Sequence, residues 1–252
     1  MPSDAPIPPE TSAETPRPLA PEPSPGRWDW RPKVRWFAAE YFIVVLGVLT
    51  AVALNAWWVG MQERDLETRS LRELRAALTN DLVDIRGNIA RHSRGDASAR
   101  LLQAHLRAGG PYADTLDAHF GRVLGASSTI RDEAAYETLK QRGMETITDD
   151  PVRTAVGRVY GMEYPRVISF QRSSTELVLR QVVPFYTANF RDLRLFQTAT
   201  PVDYPALQAS VEYAALLDWL VMMHAGQASQ METLEAEVVT LLALLDDELR
   251  AR

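Results

Sequence analysis

With 252 residues, 24% of them charged and 46% hydrophobic, the chain has room for one large domain or two small ones. Its formal charge of −6 comes without the clustered basic face that nucleic-acid binding requires, so no nucleic-acid partner is expected. The absence of cysteine excludes disulfides, thiolate chemistry and Cys-based zinc sites, and is compatible with an oxidising compartment. Lys33 and Lys140 are the only lysines, which reads as genome composition rather than function.

Residues 1–26 hold nine of the sixteen prolines, a composition that favours a solvated, partly polyproline-II tail. A plain spacer explains it better than a docking site for a proline-binding domain. WDWRPKVRW follows, and its mixture of Trp28, Trp30 and Trp36 with basic residues suits the headgroup zone of an anionic leaflet.

The segment EYFIVVLGVLTAVALNAWWVG (40–60) is the clearest signal in the chain. No charge occurs from Tyr41 to Gln62, a run of 22 residues. At about 1.5 Å per residue such a helix covers roughly 33 Å, against a hydrocarbon core of about 30 Å. Trp36, Phe37 and Tyr41 at one end and Trp57 and Trp58 at the other form an interface belt of amphipathic rings. A cleaved signal peptide would have a shorter apolar core and a shorter leader, so the segment reads as an uncleaved signal anchor. Basic residues near the two ends are balanced: Arg27, Arg31, Lys33 and Arg35 against Arg64, Arg69, Arg72 and Arg75. Short flanks weigh more than long domains, which favours a cytoplasmic N-terminus and an extracytoplasmic C-terminal domain.

Beyond the run, Leu71, Leu74, Leu78, Leu82, Ile85 and Ile89 recur at steps of three or four, the period of a helix stripe. This helix is expected to continue the membrane helix, with SRGD at 93–96 as a possible interruption and Gly109, Gly110 and Pro111 as stop signals. Shorter helices are predicted near 113–124 and 131–142, the second ending at Gly143. Asp150-Pro151 predicts a cap and start for a long helical stretch that Pro165 and Pro184 should kink or divide. A loop at 195–205 leads to two closing helices, roughly 205–226 and 228–250. No strand pair and no second span is expected. The predicted fold is all-α: one transmembrane helix continuing into an extramembrane helical bundle. Its parts are a Pro-rich tail (1–30), a juxtamembrane and membrane segment (31–62, span about 41–60) and a bundle (63–252).

No catalytic constellation is legible. His92, His105, His119 and His224 form no HExxH motif or i,i+4 ligand pair, so neither metal nor cofactor is expected. Asp149-Asp150 and Asp246-Asp247-Glu248 are better read as a helix cap and a solvated face than as acid–base pairs. Ser127-Ser128 and Ser173-Ser174 have no placed base, and P-loop, GxGxxG and GxSxG motifs are missing. The aromatic density at Tyr160, Tyr164, Phe170, Phe185, Tyr186 and Phe190 favours core packing, with an apolar groove between kinked helices as the functional alternative.

Within the span, Glu40, Gly47, Ala51 and Asn55 recur at steps of 7, 4 and 4 and so share one side of the helix. Small residues let backbones approach, and an intramembrane Asn can hydrogen-bond across an interface for about 0.6 kcal/mol on average. Ordinary membrane-helix composition explains Gly47 and Ala51 equally well, and Glu40 can lie in the headgroup zone at little cost.

AEYFIVVLGVLTAVALNAWW resembles the opening of an uncharacterised bacterial family, a domain of unknown function with the pattern G-E-I-hydrophobic-V-V-I-G-I-L-I-A-L followed by Asn and Trp. Glu40, Gly47, Asn55 and Trp57 fall on its recurring positions, while Ala39 and Thr50 depart from it. AAYETLKQRGMETITDDPVRTAVGRVY and LEAEVVTLLALLDDELR are similar to later segments of that family, so the resemblance covers roughly residues 30 to 252. It implies a single-span protein of the bacterial inner membrane with a helical domain and no known activity. The expectation is a non-enzymatic interaction or scaffold protein whose partners are membrane lipid and either a second copy or another membrane helix. An extracytoplasmic ligand-binding or stress-sensing receptor domain without its own output domain is the alternative.

Overall fold

The apolar run and the leucine stripe that follows it belong to a single helix. In the computed structural model, which describes residues 30–125 and 131–252, α1 runs unbroken through 78 residues, Trp30–Arg107. The Pro-rich tail, Arg27, Trp28 and Ser127-Ser128 lie outside the described residues. The SRGD sequence does not interrupt α1. Gly95 sits there because a Cβ would come within 2.6 Å of the His224 ring. The helix stops where the glycines predict: Gly109 takes a left-handed φ of +67°, and the Gly110 N–H closes back on the His105 carbonyl at 3.0 Å.

Short elements then wrap the long helix. A 3-10 turn (Asp114–Leu116) leads into α2 (Asp117–Arg122), and α3 (Ala134–Arg142) ends at Gly143 with φ +99°. Helix α4 spans Asp150–Arg158, and its cap is Asp149, one residue earlier than expected. The Asp149 carboxylate accepts the Val152 N–H at 2.7 Å. Asp150 and Pro151 both fit the first turn, where backbone N–H groups have no helical partner.

Pro165 and Pro184 widen the chain's helix without breaking it. One π turn (Val159–Glu163) joins α4 to α5 (Tyr164–Leu177), and a second (Val178–Val182) joins α5 to α6 (Val183–Asn189). A proline has no N–H to donate and its ring presses on the carbonyl four residues back; a turn of larger radius just before it relieves both constraints.

The stretch expected to be a loop contains a hairpin. Strand β1 (Phe190–Arg194) pairs antiparallel with β2 (Thr198–Pro201), setting Phe190 opposite Pro201 and Arg191 opposite Thr200, with a bulge before Arg194. Only Phe190 of β1 is buried, so the strand lacks the apolar alternation that would mark it in sequence. The hairpin lies directly on α2: a Cβ on Gly121 would stand 2.2 Å from the Thr198 backbone nitrogen. The fold class remains all-α.

After α7 (Tyr204–Ala209), the C-terminal region is one 41-residue helix, α8 (Val211–Ala251), where two were expected. The break falls at Ser210, whose hydroxyl accepts the Tyr213 N–H at 3.1 Å. Gly226 is a contact point rather than a stop, since its missing Cβ would lie 3.0 Å from Phe170 Cζ.

Chain contacts define two units, the first ending at Trp57 and the second spanning Trp58–Arg252. In the first, every described side chain from Tyr41 to Trp57 is exposed except the half-buried Val45. In the second, α1 and α8 run antiparallel, as paired residues show. Arg75 bonds Asp246, Arg86 bonds Glu235 at 2.6 Å, and Gln103 bonds Asp218 at 2.5 Å, the partner number falling as the α1 number rises. Two apolar cores form along this pair. One gathers Leu71, Leu74, Leu78 and Ile85 with Val156, Tyr164, Leu234 and Leu241; the other gathers Ala99 and Leu102 with Phe120, Tyr186, Tyr213 and Leu217.

Two glycine substitutions should separate these roles. Gly121→Ala should lower the stability of the full chain in detergent by at least about 2 kcal/mol, because a backbone atom must move. Gly87→Ala, in open space on α1, should raise it by about 0.5–1 kcal/mol through helix propensity. Denaturant titration checks both signs.

Candidate interaction sites

The stretch of α1 from Glu40 to Arg107 includes a window long and apolar enough to cross a membrane, and none of that window is buried within the chain. Glu40, Gly47, Ala51 and Asn55 are all exposed. At about 100° per residue they fall within an arc of roughly 80°. A Cβ on Gly47 would meet nothing within 4 Å, so this stripe has no occupant in the chain. Thr50, the other polar residue here, is satisfied internally: its hydroxyl donates to the Leu46 carbonyl at 2.8 Å. The Asn55 amide has no hydrogen bond among the described residues, which leaves its donors and acceptor for an outside partner. Trp36, Tyr41, Trp57 and Trp58 are likewise exposed.

Just past Trp58, α1 forms one wall of an open groove of about 620 Å3. Its α1 side includes Gly60, Glu63, Arg64 and Leu66; the opposite side is the end of α3 and the turn after it, with Arg142, Glu145 and Thr146. Two attachments hold this turn against α1. Arg142 donates to the buried Ser70 hydroxyl at 2.8 Å. The buried Glu67 carboxylate accepts the Thr148 N–H at 2.7 Å and the Thr148 hydroxyl at 2.9 Å. Arg252 completes the Glu67 site at 2.6 Å and also reaches Glu248 at 2.8 Å. Burial pushes the Glu67 carboxyl up, but the bonds from Arg252 and Thr148 outweigh it and hold the pKa below its ordinary value.

Between the two apolar cores lies a polar layer that includes His92, Ser174, His224 and Gln227, all buried. His92 and His224 meet across 132 residues with their Nδ1 atoms 3.0 Å apart. His224 Nε2 lies 3.1 Å from the Val123 carbonyl, which only accepts, so Nε2 carries the proton and donates. With His224 neutral, as its burial favours, its Nδ1 is the acceptor and His92 Nδ1–H the donor. Burial, then His224 and Arg91, push His92 down to about 4. Burial lowers His224 as well, against the Val123 hydrogen bond and the Asp96 charge. Among the described residues no three His, Cys, Asp or Glu gather as metal ligands.

Asp81 makes a second buried polar contact between elements, accepting the Tyr164 hydroxyl and, at 3.2 Å, the Asp132 N–H. Burial raises its pKa despite both bonds. The aromatic group divides between the cores. Tyr160 and Tyr164 join the first, Phe185, Tyr186 and Phe190 the second, and Phe170 is partly exposed beside Gly226. A cavity beside the polar layer, bordered by His92, Ser174 and Gln227, measures about 10 Å3.

Sequence spacing could have found the histidine pair. His92 is the next step of the Leu71–Ile89 stripe, and His224 follows Leu217 and Leu220 at the same period. The groove has no such signal, because Arg142 and Gly60 are brought together only by the fold.

A group whose folded pKa is depressed below its ordinary value near 6.5 keeps its proton more readily in the unfolded state. Stability should therefore be full above about pH 6.5 and fall as the pH drops from there toward 4, by an order of about 3 kcal/mol for His92. Glu67 contributes its own loss only below about 4.5. Denaturation of the full chain in detergent from pH 7.5 to 4.5 should show the slope, and His92→Gln, which keeps a donor for His224, should reduce it. A flat profile across that window would contradict a neutral pair.

No family model, no curated protein and no solved structure matches this chain.

Proposed function

We propose that the chain is a non-enzymatic, single-pass membrane-anchored interaction protein that acts through helix–helix contacts. The observation that carries this reading is the stripe of Glu40, Gly47, Ala51 and Asn55, small and polar, exposed along a helix of membrane-crossing length and covered by nothing in the chain. In lipid there is no hydrophobic drive for association, so close backbone approach and interhelical hydrogen bonds decide it, and this stripe offers both. The resemblance to an uncharacterised family of bacterial single-span proteins includes three of these positions, Glu40, Gly47 and Asn55. The bundle sits outside the cytoplasmic face and the short N-terminal side within it, as the weight of short flanks favours. A ligand receptor would need space between the kinked helices, and the 10 Å3 cavity there weighs against it.

Photo-crosslinking from residue 51, on the same side of the helix, in native membranes tests this reading. The expected result is a discrete product, a dimer of the chain or an adduct with one other membrane protein. Gly47→Leu combined with Asn55→Leu should reduce it severalfold, while Ala53→Leu, on the opposite side of the helix, leaves it in place. Equal yield from all three would sink the proposal.

A further inference from the structure

The geometry points to the groove between Gly60 and Thr146 as a binding site for the headgroup of a phospholipid that carries a primary ammonium beside its phosphate, such as phosphatidylethanolamine. This inference rests on the membrane-spanning reading and goes beyond it.

Position comes first. Charged residues resume at Glu63, directly after the uncharged run, and that is where a spanning helix reaches the phosphate level of the leaflet. The groove's first residue, Gly60, follows Trp58 by two residues on α1. A site at this point on the chain meets lipid headgroups at far higher local concentration than any dissolved ligand.

Charge comes second. Arg64 and Arg142 supply two cations and Glu63 and Glu145 two anions, all on the border of one groove. None of the four forms an ion pair among the described residues, whereas Glu67 nearby is neutralised by Arg252. Alternating, unpaired charges of both signs suit a zwitterion better than a simple anion, which the carboxylates would repel. The two guanidiniums match phosphate oxygens through charge-assisted hydrogen bonds. The two carboxylates accept from the N–H groups of a primary ammonium, which the quaternary ammonium of a choline headgroup lacks. The volume of about 620 Å3 is within the range of sites that hold small ligands, enough for headgroup and glycerol.

Glycine at 60 makes the test clean. A Cβ there would meet nothing within 4 Å, so Gly60→Leu adds bulk at the groove without disturbing the packing. Arg64→Gln removes a guanidinium that makes no hydrogen bond or ion pair among the described residues.

The full chain is reconstituted into vesicles of phosphatidylcholine mixed in equal parts with phosphatidylethanolamine or phosphatidylglycerol. It is floated to establish insertion, then extracted in mild detergent, and the retained lipid is counted by native mass spectrometry. The expected result is insertion into both mixtures and retention of one phosphatidylethanolamine per chain. Retention should drop about tenfold in Arg64→Gln and in Gly60→Leu, in line with loss of one charge-assisted contact, with thermal melting unchanged for Gly60→Leu. Equal retention of all three lipids, preference for phosphatidylglycerol, or wild-type retention in both variants overturns the site while leaving the span intact. Failure to float overturns the spanning reading and the site with it.

Discussion

The helical bundle depends on the antiparallel pairing of α1 with α8, which His92–His224, Arg86–Glu235 and Gln103–Asp218 record. The apolar core residues of α1 gather in the same two clusters as those of α8 and the shorter helices. Apolar contact alone would allow two such long helices to slide by a turn, because leucine stripes repeat. The polar layer removes that freedom. His92 meets His224 only in this register, and His224 must reach the Val123 carbonyl at the same time. Sliding by one turn would bury unpaired ring nitrogens, a desolvation cost of about 1–3 kcal/mol for each. The exposed pairs Arg75–Asp246 and Arg86–Glu235 agree with this register but, as surface ion pairs, contribute little energy.

Around that pair the rest of the fold follows from close approaches and satisfied polar groups. Gly95 lets the His224 ring lie against α1, Gly121 lets β2 lie against α2, and Gly226 accepts the edge of Phe170. Prolines 165 and 184 keep their helical course through the π turns before them, so α4, α5 and α6 follow one another without a loop, and α4 and α5 pack on α8. At the end of the bundle nearest Trp58, Glu67 gathers Thr148 and Arg252 and so ties α1 to the turn before α4 and to the end of α8. That attachment leaves the groove beside Gly60 open.

Much of this was legible in the sequence, and the failures have identifiable causes. The long helix, its stop at Gly109 and the C-cap at Gly143 follow from periodicity and glycine chemistry, which are local. The hairpin at 190–201 escaped because β1 buries one residue and offers no alternation. The reading of closing helices at 205–226 and 228–250 put a break beside Gly226, whose contact is with Phe170, far away in the chain. The stripe of Glu40, Gly47, Ala51 and Asn55 could be read directly, since helix geometry alone aligns its residues. The inward positions of His92 and His224 also follow from stripe spacing, but their pairing across 132 residues and the groove, closed by Ser70 and Arg142, are made only by the tertiary fold.

The account as a whole requires that the run from Tyr41 to Gln62 separates the two ends of the chain across a bilayer. The chain has no cysteine, so single-cysteine variants report cleanly on this point. Ser24→Cys and Ser229→Cys, tested separately in spheroplasts with a membrane-impermeant maleimide, measure it directly. The account predicts that Ser229→Cys is labelled in intact spheroplasts and Ser24→Cys only after the membrane is permeabilised. Labelling of both from the outside, or of neither until permeabilisation, would contradict it.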